Sequence, residues 1–494
     1  PPFTDSVTQL HSAYILEPTT IGPTESVNSS YTFIYVVTLV PTTDMVTRHP
    51  TKIKCEKLQF VSFIPILNIF LPFHLTTSHF FAIISLSLYC VKASTRQNYG
   101  ISCGRYFNQQ RTTAERQGNI MIIKNGKVFT EEGKFVEKNL CIDGDKISST
   151  EIGEVIDATG LYVIPGLTDI HFHGCVGYDF CDGTKEALEK MAEYELSNGV
   201  TTICPASMTF SEEQLTQIFT NAANYKSDKG ATLVGINMEG PFISMEKKGA
   251  QNGEYIHRPD ADMFERLQTA ANGLIKLCDI APEVDGAMDC IERISDKVTV
   301  SMAHTAADWD IATEAIKKGA KHVTHLYNAM PPYSHRAPGV IGAACDNEQV
   351  MVELICDGIH SHPSTVRTTF KMFGDDRIVL ISDSMEACGL EDGQYSLGGQ
   401  DVTVKGNLAI LTELGNIAGS VTNLMKCMRK AVKEMGIPLE SAVKCATMNP
   451  TKAIGIFDKY GSLAEGKQAD VVLLDEDLEI KYIIKSGEVV YGND

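Results

Sequence analysis

The amino-acid sequence predicts an α/β fold, a (β/α)8 TIM-like barrel with a small β-sandwich domain built from both ends of the region between residues 121 and 494. Two observations predict the barrel: strand-like runs alternate with amphipathic helical stretches within residues 167–440, and there are eight such runs. A third predicts the small domain, because short β-branched runs separated by turn residues fill residues 121–166 and recur within residues 441–494.

The small domain is predicted from its turns. The runs "MIIKNGKVF", "NLCIDGDKI" and "LYVIPG" carry Asn-Gly, Asp-Gly and Gly, which are typical of β-hairpins. Residues 461–491 repeat the pattern, with turns at Glu-Gly and Ser-Gly. We therefore expect the two ends to form one β-domain.

The barrel strands are predicted from eight apolar runs: "LTDIHFHG", "TTICPASM", "LVGINMEG", "IKLCDIAPE", "KVTVSMAHT", "HVTHLYNAM", "VMVELICDGIH" and "RIVLISDSM". Barrel enzymes place their chemistry at the carboxyl ends of the strands, so residues far apart in sequence meet in one ring. Most of the runs end in residues of catalytic type, namely His171, His173, Glu239, Glu283, His304, His325, His360 and Asp383.

This ring has the composition of a metal site. Imidazoles with carboxylates suit Zn or Fe, and we expect one or two divalent ions per chain. Alternation along the first strand points His171 and His173 to one face and Phe172 to the other. Asp383 is placed to take a proton from a water that a divalent ion activates and to return it to a leaving group.

Composition narrows the class of partner. The chain has 494 residues, 43 % apolar and 21 % charged, which is ordinary for a globular protein. Its net charge of −19 is spread without long single-sign runs, which argues against nucleic acid as a partner. The fourteen cysteines form no CxxC pair, so we expect free thiols in a reducing compartment and a cytoplasmic location.

Residues 1–120 differ in composition from the rest of the chain. Residues 58–91 contain no Asp, Glu, Lys or Arg and are long enough to cross a bilayer once. Pro65, Pro72 and many Ser and Thr residues interrupt this stretch, and no cleavable signal pattern precedes it. The competing interpretation, which we favour, is that residues 1–120 are an upstream translation artefact ahead of a start at Met121. We accordingly expect no membrane partner.

Several motifs together resemble one family. "PGLTDIHFHG" followed by strand-end His, His and Asp resembles the amidohydrolase superfamily. Within it, "MEGPF", "KKGA", "IAPE", "MAHT", "THLYNAM", "APGVIG", "DGIH" and "IAGS" resemble the N-acetylglucosamine-6-phosphate deacetylases over roughly residues 121–494. "THLYNAM" with "DGIH" is rather specific, whereas a His-x-His pair alone is not.

The resemblance implies a reaction and roles for individual residues. The reaction is hydrolysis of N-acetyl-D-glucosamine 6-phosphate to D-glucosamine 6-phosphate and acetate, in amino-sugar catabolism, by a homodimer. By resemblance Glu239, His304 and His325 are the main metal ligands and Asp383 is the catalytic acid and base. The substrate residues implied by the motifs are Ala250, Gln251, Asn328, Ala329, Arg336, His360, Ile417, Ala418 and Gly419.

Elementary chemistry is consistent with the predicted phosphate site, and the sequence differs from many members of the family after "KKGA". On an acidic protein a phosphorylated sugar needs a local cation, and the fork of Arg336 fits phosphate oxygens, with His360 as a second donor. Where many members of the family have a histidine after "KKGA", this chain has Gln251, which polarises a carbonyl less well. Some members lack the His-x-His pair found here. Because Gln251 polarises the acetamide less well, we expect a second metal ion, held by His171, His173 and a shared Glu239, to take part of that role.

Two other functions use the same pattern. One is a different metal-dependent amidohydrolase, acting on a cyclic amide or an amine, which the release of ammonia instead of acetate would distinguish. The other is a barrel kept only as a scaffold, which is expected when metal ligands are lost. Every candidate ligand is present in this sequence, which favours an enzyme.

Overall fold

A computed structural model describes residues 120–151, 153–227 and 229–492 of the chain. The apolar stretch at residues 58–91, on which the membrane and artefact interpretations depend, lies outside the described residues. Within the described part of the chain, every helix is too short or too polar to cross a bilayer.

Strands and helices alternate through most of the described residues. The strands are β1 (Ile120–Phe129), β2 (Phe135–Asp143), β3 (Lys146–Ser148), β4 (Glu154–Asp157), β5 (Tyr162–Pro165), β6 (Leu167–Asp169), β7 (Gly174–Cys175), β8 (Tyr178–Asp179), β9 (Val200–Ile203), β10 (Thr232–Leu233), β11 (Ile236–Met238), β12 (Ile275–Ile280), β13 (Thr299–Met302), β14 (His322–Val323), β15 (Met351–Ile355), β16 (Ile378–Ile381), β17 (Gly393–Leu397), β18 (Gln400–Lys405), β19 (Leu408–Leu411), β20 (Val471–Leu474), β21 (Ile480–Lys485) and β22 (Glu488–Gly492). The helices are α1 (Lys185–Ser197), α2 (Glu212–Asn224), α3 (Ala261–Ala270), α4 (Ala287–Ile294), α5 (Trp309–Lys318), α6 (Gly339–Asp346), α7 (Pro363–Phe373), α8 (Leu424–Lys433), α9 (Leu439–Ala446) and α10 (Met448–Ala453).

The two ends of the described chain share one sheet. Its strand order is β22-β21-β20-β5-β1-β2-β3, with β4 pairing β1. The strands β20 and β5 join the two ends, with Val472 opposite Ile164 in an antiparallel pair. Residues from both ends, including Ile123, Ile142 and Ile484, pack in one buried cluster. The two ends of the described chain are thus joined in one eight-stranded sheet.

The eight predicted barrel runs each contain a strand, and these strands are parallel. They form a three-stranded sheet, β10-β9-β6, and a six-stranded sheet, β11 to β16 in chain order. The third run belongs to both sheets, because β10 pairs β9 while β11 pairs β12. The fold is therefore α/β with a curled parallel sheet, a half-barrel.

Amphipathic helices cover this sheet because their apolar residues recur at helical spacing. In α1, Leu188, Met191 and Ala192 are buried in the large core cluster. The helix begins where Thr184 accepts a hydrogen bond from the backbone N–H of Ala187. The helices α9 and α10 pack on β16, although they lie largely within the stretch assigned to the small β-domain. The domain limits themselves stay a prediction.

One element was not predicted. After β16 the chain forms an antiparallel sheet of β17, β18 and β19, which packs on Met208, Met385 and Ala418. Its two turns contain Gly398 with Gly399, and Gly406, all with positive φ. The sheet returns the chain to the end of β16, where the Ser420 N–H donates to the Asp383 carbonyl oxygen at 2.7 Å.

Candidate metal and active site

The predicted ligands lie just beyond the ends of the parallel strands. Glu239 follows β11, His304 follows β13, His325 follows β14 and Asp383 follows β16. His304, His325 and Asp383 have φ values of 44°, 27° and 49°, in the left-handed region that L-residues rarely adopt. Such backbone strain is typical of functional sites, where surrounding contacts hold it in place.

Glu239 lies at the centre of the cluster. Its Oε1 atom is 3.0 Å from His304 Nε2 and 3.1 Å from His325 Nε2. The two imidazole nitrogens are themselves 3.1 Å apart. Three ligand atoms thus form a triangle with nearly equal sides.

A second group shares the same glutamate. His173 Nε2 is 3.3 Å from Glu239 Oε2 and 3.5 Å from Asp383 Oδ1. His171 Nε2 is 3.4 Å from Glu239 Oε1 and 3.9 Å from Asp383 Oδ1. The two histidine rings are on one side, as expected, while Phe172 packs in the apolar core. The reason is not strand alternation, however, because β6 ends at Asp169.

Contacts behind the rings set their orientation. His304 Nδ1 is 2.9 Å from the Lys247 carbonyl oxygen, and His173 Nδ1 is 3.3 Å from the Ala206 carbonyl oxygen. Each of these Nδ1 atoms can therefore carry the proton, which leaves the Nε2 lone pair facing the cluster.

The arrangement fits a divalent metal. His171 Nε2 is buried and has no hydrogen-bond partner among the described residues, which is unusual for a polar atom unless something else satisfies it. Ligand atoms about 2.0–2.2 Å from a metal ion lie roughly 3.0–3.4 Å from one another in tetrahedral or octahedral geometry, which is close to the separations around Glu239. Two groups could hold an ion: His171, His173 and Asp383, and His171, Glu239 and His325.

Protonation in the metal-free cluster follows from burial and charge. Burial disfavours the ionised form of Asp383, but a hydrogen bond from His173 and the charges of the nearby imidazoles lower its pKa to about 2. Burial likewise opposes protonation of His173, but hydrogen bonds to Asp383 and Glu239 raise its pKa to about 10. Glu239 has its pKa lowered well below the usual value, despite burial, by His171 and the other histidines. In the metal-free cluster, burial is thus outweighed: His173 favours its protonated form, and Glu239 and Asp383 favour their ionised forms.

Gln251 contacts the same glutamate. Its side-chain amide donates to Glu239 Oε2 at 2.7 Å, and its oxygen accepts from the Thr209 N–H at 2.7 Å. The Thr209 contact fixes which end of the amide faces the cluster. Gln251 therefore holds the glutamate oxygen that also faces His173, a contact that sequence reasoning did not anticipate.

The other predicted substrate residues differ in how far their side chains are buried. His360 is largely buried and hydrogen-bonds Asp357 through Nδ1 at 2.7 Å. The Asn328 amide donates to the His325 and Leu326 carbonyl oxygens at 3.2 and 3.3 Å.

Ala329 has φ 52° and its carbonyl oxygen accepts from the Thr305 N–H. Arg336 is exposed on the loop between Met330 and α6, so it is not brought into the ligand cluster.

The remaining predicted residues belong to two loops. Ala250 packs near β17–β19, and its carbonyl oxygen accepts from Gln400. In the returning loop, Ile417 is exposed and Ala418 is buried. Gly419 has positive φ, and a Cβ there would meet the Asp383 carbonyl oxygen at 3.1 Å. This loop is adjacent to the end of β16.

Sequence reasoning missed one buried acid, Glu353, and another acid that it did name, Glu283, contacts the two residues after His304. Glu353 accepts hydrogen bonds from His171 Nδ1 and from the His325 backbone N–H, yet it lies inside a strand and not at its end. Glu283 was counted in the ring, but it accepts from the Thr305 hydroxyl and the Ala306 N–H. Asp357, which hydrogen-bonds the predicted substrate residue His360, could have been identified from the sequence, because the "DGIH" motif contains both residues.

The fold and this cluster define a class of protein. The amidohydrolase family profile matches residues 162–490, and the chain belongs to that family. Within it, the chain is 36 % identical over 376 residues to the N-acetylglucosamine-6-phosphate deacetylase of Bacillus subtilis (strain 168), covering 75 % of this chain and 94 % of the relative. The Homo sapiens N-acetylglucosamine-6-phosphate deacetylase is 30 % identical over 391 residues, with 76 % and 95 % covered. The chain is therefore a member of the N-acetylglucosamine-6-phosphate deacetylase family.

Solved structures agree with this assignment. The N-acetylglucosamine-6-phosphate deacetylase of Pasteurella multocida superposes with a TM-score of 0.71 at 30 % identity, over 76 % of this chain and all of that one. A mutant of the Mycobacterium smegmatis deacetylase in complex with N-acetyl-D-glucosamine-6-phosphate gives a TM-score of 0.70 at 30 % identity, over 76 % of this chain and 99 % of that one.

Proposed function

We propose that this chain carries out the reaction for which its relatives are named, hydrolysis of the acetamide bond of N-acetyl-D-glucosamine 6-phosphate. The products are D-glucosamine 6-phosphate and acetate. The observation that carries the proposal is the Glu239 cluster, in which four histidines and Asp383 converge at the ends of parallel strands in a chain of this family.

The cluster would hold one or two divalent ions, with Zn or Fe favoured by its imidazole and carboxylate donors. Glu239 Oε1, His304 and His325 form the first site. His171, His173 and the shared Glu239 would form the other, with the Asp383 carboxylate beside it. A bound divalent ion would supply Lewis-acid activation of water and of the acetamide oxygen.

Asp383 moves the proton. Its carboxylate is ionised at neutral pH, so it can accept a proton from the attacking water as the water oxygen bonds to the acetyl carbon. It then gives the proton to the sugar nitrogen as the C–N bond breaks. The amine and acetate leave, and the carboxylate is regenerated.

The surrounding residues orient the sugar phosphate. Asn328, Ala329, Ala250 and the Ile417–Gly419 loop contact the sugar, while His360 and Arg336 bind its phosphate. The exposure of Arg336 suits a residue that acts across a subunit boundary, so we assign a homodimer in which it reaches the partner's site. Gln251 lies near the acetamide of the bound sugar, where its side-chain amide donates a hydrogen bond to Glu239.

The finer architecture belongs to the same proposal. We assign a closed (β/α)8 barrel over residues 167–440, supported by backbone hydrogen bonds between the segments that follow its first and last strands, Asp383 N–H to His171 O at 2.9 Å and His173 N–H to Ser384 O at 2.7 Å. We assign the eight-stranded sheet to a β-sandwich domain of residues 121–166 and 441–494. The described cysteines are free thiols, which suits a cytoplasmic enzyme.

A product assay tests the proposed function. Purified full chain, supplied with Zn²⁺ or Fe²⁺, is incubated with N-acetyl-D-glucosamine 6-phosphate and with N-acetyl-D-glucosamine, and acetate and ammonia are quantified. We expect acetate from the phosphorylated sugar and far less from the other. Ammonia release, or equal rates on both sugars, would contradict the proposal.

A further inference from the structure

Glu353 is a buried carboxylate in contact with two predicted metal ligands. It lies in the middle of β15, between Val352 and Leu354, which pack in the large core cluster. Because side chains alternate along a strand, Glu353 points to the opposite, inner face of the sheet. Its side chain and that of His171 are both completely buried.

One oxygen of Glu353 makes both contacts. Oε2 is 2.8 Å from His171 Nδ1 and 3.0 Å from the backbone nitrogen of His325. His171 belongs to the group with His173 and Asp383, whereas His325 belongs to the triangle with His304 and Glu239. The same oxygen therefore links the two groups from a third strand.

The contact with His171 determines which nitrogen of the ring is available. A carboxylate only accepts hydrogen bonds, so His171 Nδ1 must carry a proton. In the neutral ring, the form that can bind a metal, the lone pair is then on Nε2, the buried atom without a hydrogen-bond partner that faces Glu239 and Asp383. In the other tautomer a proton on Nε2 would point into the cluster and exclude a metal.

The contact with His325 supports a strained backbone. His325 has φ 27°, and a hydrogen bond from its N–H to a buried carboxylate helps to hold that conformation. His173 and His304 are oriented by main-chain carbonyl oxygens instead. Glu353 is thus the side chain on which two of the four histidines depend.

We propose that Glu353 is a positioning residue of the metal centre, which fixes the tautomer of His171 and the backbone of His325 and so prepares both metal sites together. The inference rests on the proposed metal centre. It extends that centre by a residue that touches neither substrate nor metal.

Two substitutions separate positioning from general stability. Glu353→Gln keeps an oxygen that can accept the two hydrogen bonds but removes the charge, whereas Glu353→Leu removes the acceptor. The matched control is Glu195→Gln, since Glu195 in α1 is also a completely buried carboxylate and contacts none of the ligands through a hydrogen bond. Circular dichroism and thermal unfolding report which variants are folded.

Metal affinity is measured on the folded proteins by chelator competition with Zn²⁺, and bound metal is counted after dialysis. Loss of such an outer contact typically weakens metal binding by about 10–100-fold. We expect Glu353→Leu to show this loss, Glu353→Gln a smaller one, and Glu195→Gln wild-type affinity. Wild-type affinity in folded Glu353→Leu, or an equal loss in the control, would overturn the proposal.

A second measurement needs no Glu353 variant. In the Zn²⁺-loaded wild-type protein, ¹⁵N NMR of labelled histidines identifies His171 by the signals lost in His171→Asn. We expect its Nδ1 to be protonated and its Nε2 to bind metal, and the opposite tautomer would overturn the proposal. Acetate release by the wild-type chain is assayed in parallel, so a failure of the proposed function is distinguished from a failure of this inference.

Discussion

Replacing Asp383 with Asn tests the assigned proton transfer. The carboxylate is ionised at neutral pH because its pKa is lowered to about 2 in the metal-free cluster, despite burial. An amide of the same shape cannot accept a proton, and the loss of a positioned general base typically costs about 10²–10⁴ in rate. At 1.36 kcal/mol for each factor of ten, this corresponds to about 2.7–5.4 kcal/mol in the activation free energy.

The fold should survive this change. The backbone hydrogen bonds of Asp383, from its N–H to the His171 carbonyl oxygen and from the Ser420 N–H to its own carbonyl oxygen, do not involve its side chain. The matched control is Glu386→Gln, three residues along, because Glu386 accepts from Ser396 outside the ligand cluster.

Steady-state acetate release decides the assignment. We expect kcat of Asp383→Asn to fall by about two to four orders of magnitude, while the control stays within about twofold of wild type, as for most substitutions away from special features. A kcat near wild type in folded, metal-loaded Asp383→Asn would refute the proton-transfer role.

Four further predictions concern the limits of the working chain, the second metal site, the phosphate site and proton release. A chain starting at Met121 should fold and retain full kcat, because among the described residues it lacks only Ile120, the first residue of β1, and keeps every other strand of the two-ended and parallel sheets. Replacing both His171 and His173 with Asn should reduce bound metal from two ions to one and lower kcat more than it raises KM, as metal analysis and kinetics will show. Arg336→Ala should raise KM for the phosphorylated sugar by about tenfold or more, the size of a lost charge-assisted contact. Metal uptake near pH 7 should release protons, measurable with a weakly buffered indicator, because the pKa of His173 is raised to about 10, despite burial, and a ligating imidazole must be neutral.

Each of these has a control and a contradicting result. An insoluble or inactive chain starting at Met121 would restore a role for the first 120 residues. His257→Asn, an exposed histidine outside the cluster, should leave the ion count unchanged, whereas one ion in the wild type would exclude the second site. Arg258→Ala, which breaks an exposed pair with Asp285, should not change KM. Because the metal competes with protons at pH values below the raised pKa of His173, the apparent affinity for metal should increase with pH. A metal affinity that does not depend on pH would contradict a protonated His173 in the metal-free protein.

Much of the fold was readable from the sequence because two signals are local. Apolar runs of strand length marked each parallel strand, and the catalytic residue types at their ends marked Glu239, His304, His325 and Asp383. Glycine-containing turns marked the two-ended sheet. The same signal is present at Gly398, Gly399 and Gly406, but these turns belong to an insertion that interrupts the β-α alternation, so the alternation did not predict β17–β19.

The contacts behind the ligands could not be read in this way. Glu353 lies inside the apolar run "VMVELIC", and only the pairing of β15 with its neighbours brings it to His171. Lys247 and Ala206 act through carbonyl oxygens, which every residue has. The placement of Gln251 against Glu239 depends on a loop that periodicity does not constrain. Sequence patterns identify ligand types, whereas orientation depends on tertiary contacts.

The central claim is that this chain is a metal-dependent deacetylase of N-acetyl-D-glucosamine 6-phosphate. The most direct test is to strip the purified full chain of metal with a chelator, add back Zn²⁺ or Fe²⁺, and follow acetate and free amine from that sugar. The account predicts one acetate for each amine formed, loss of both on stripping, and recovery of both in proportion to metal bound. Folded, metal-replete protein that forms no acetate, or acetate formation that persists in fully stripped protein, would contradict it.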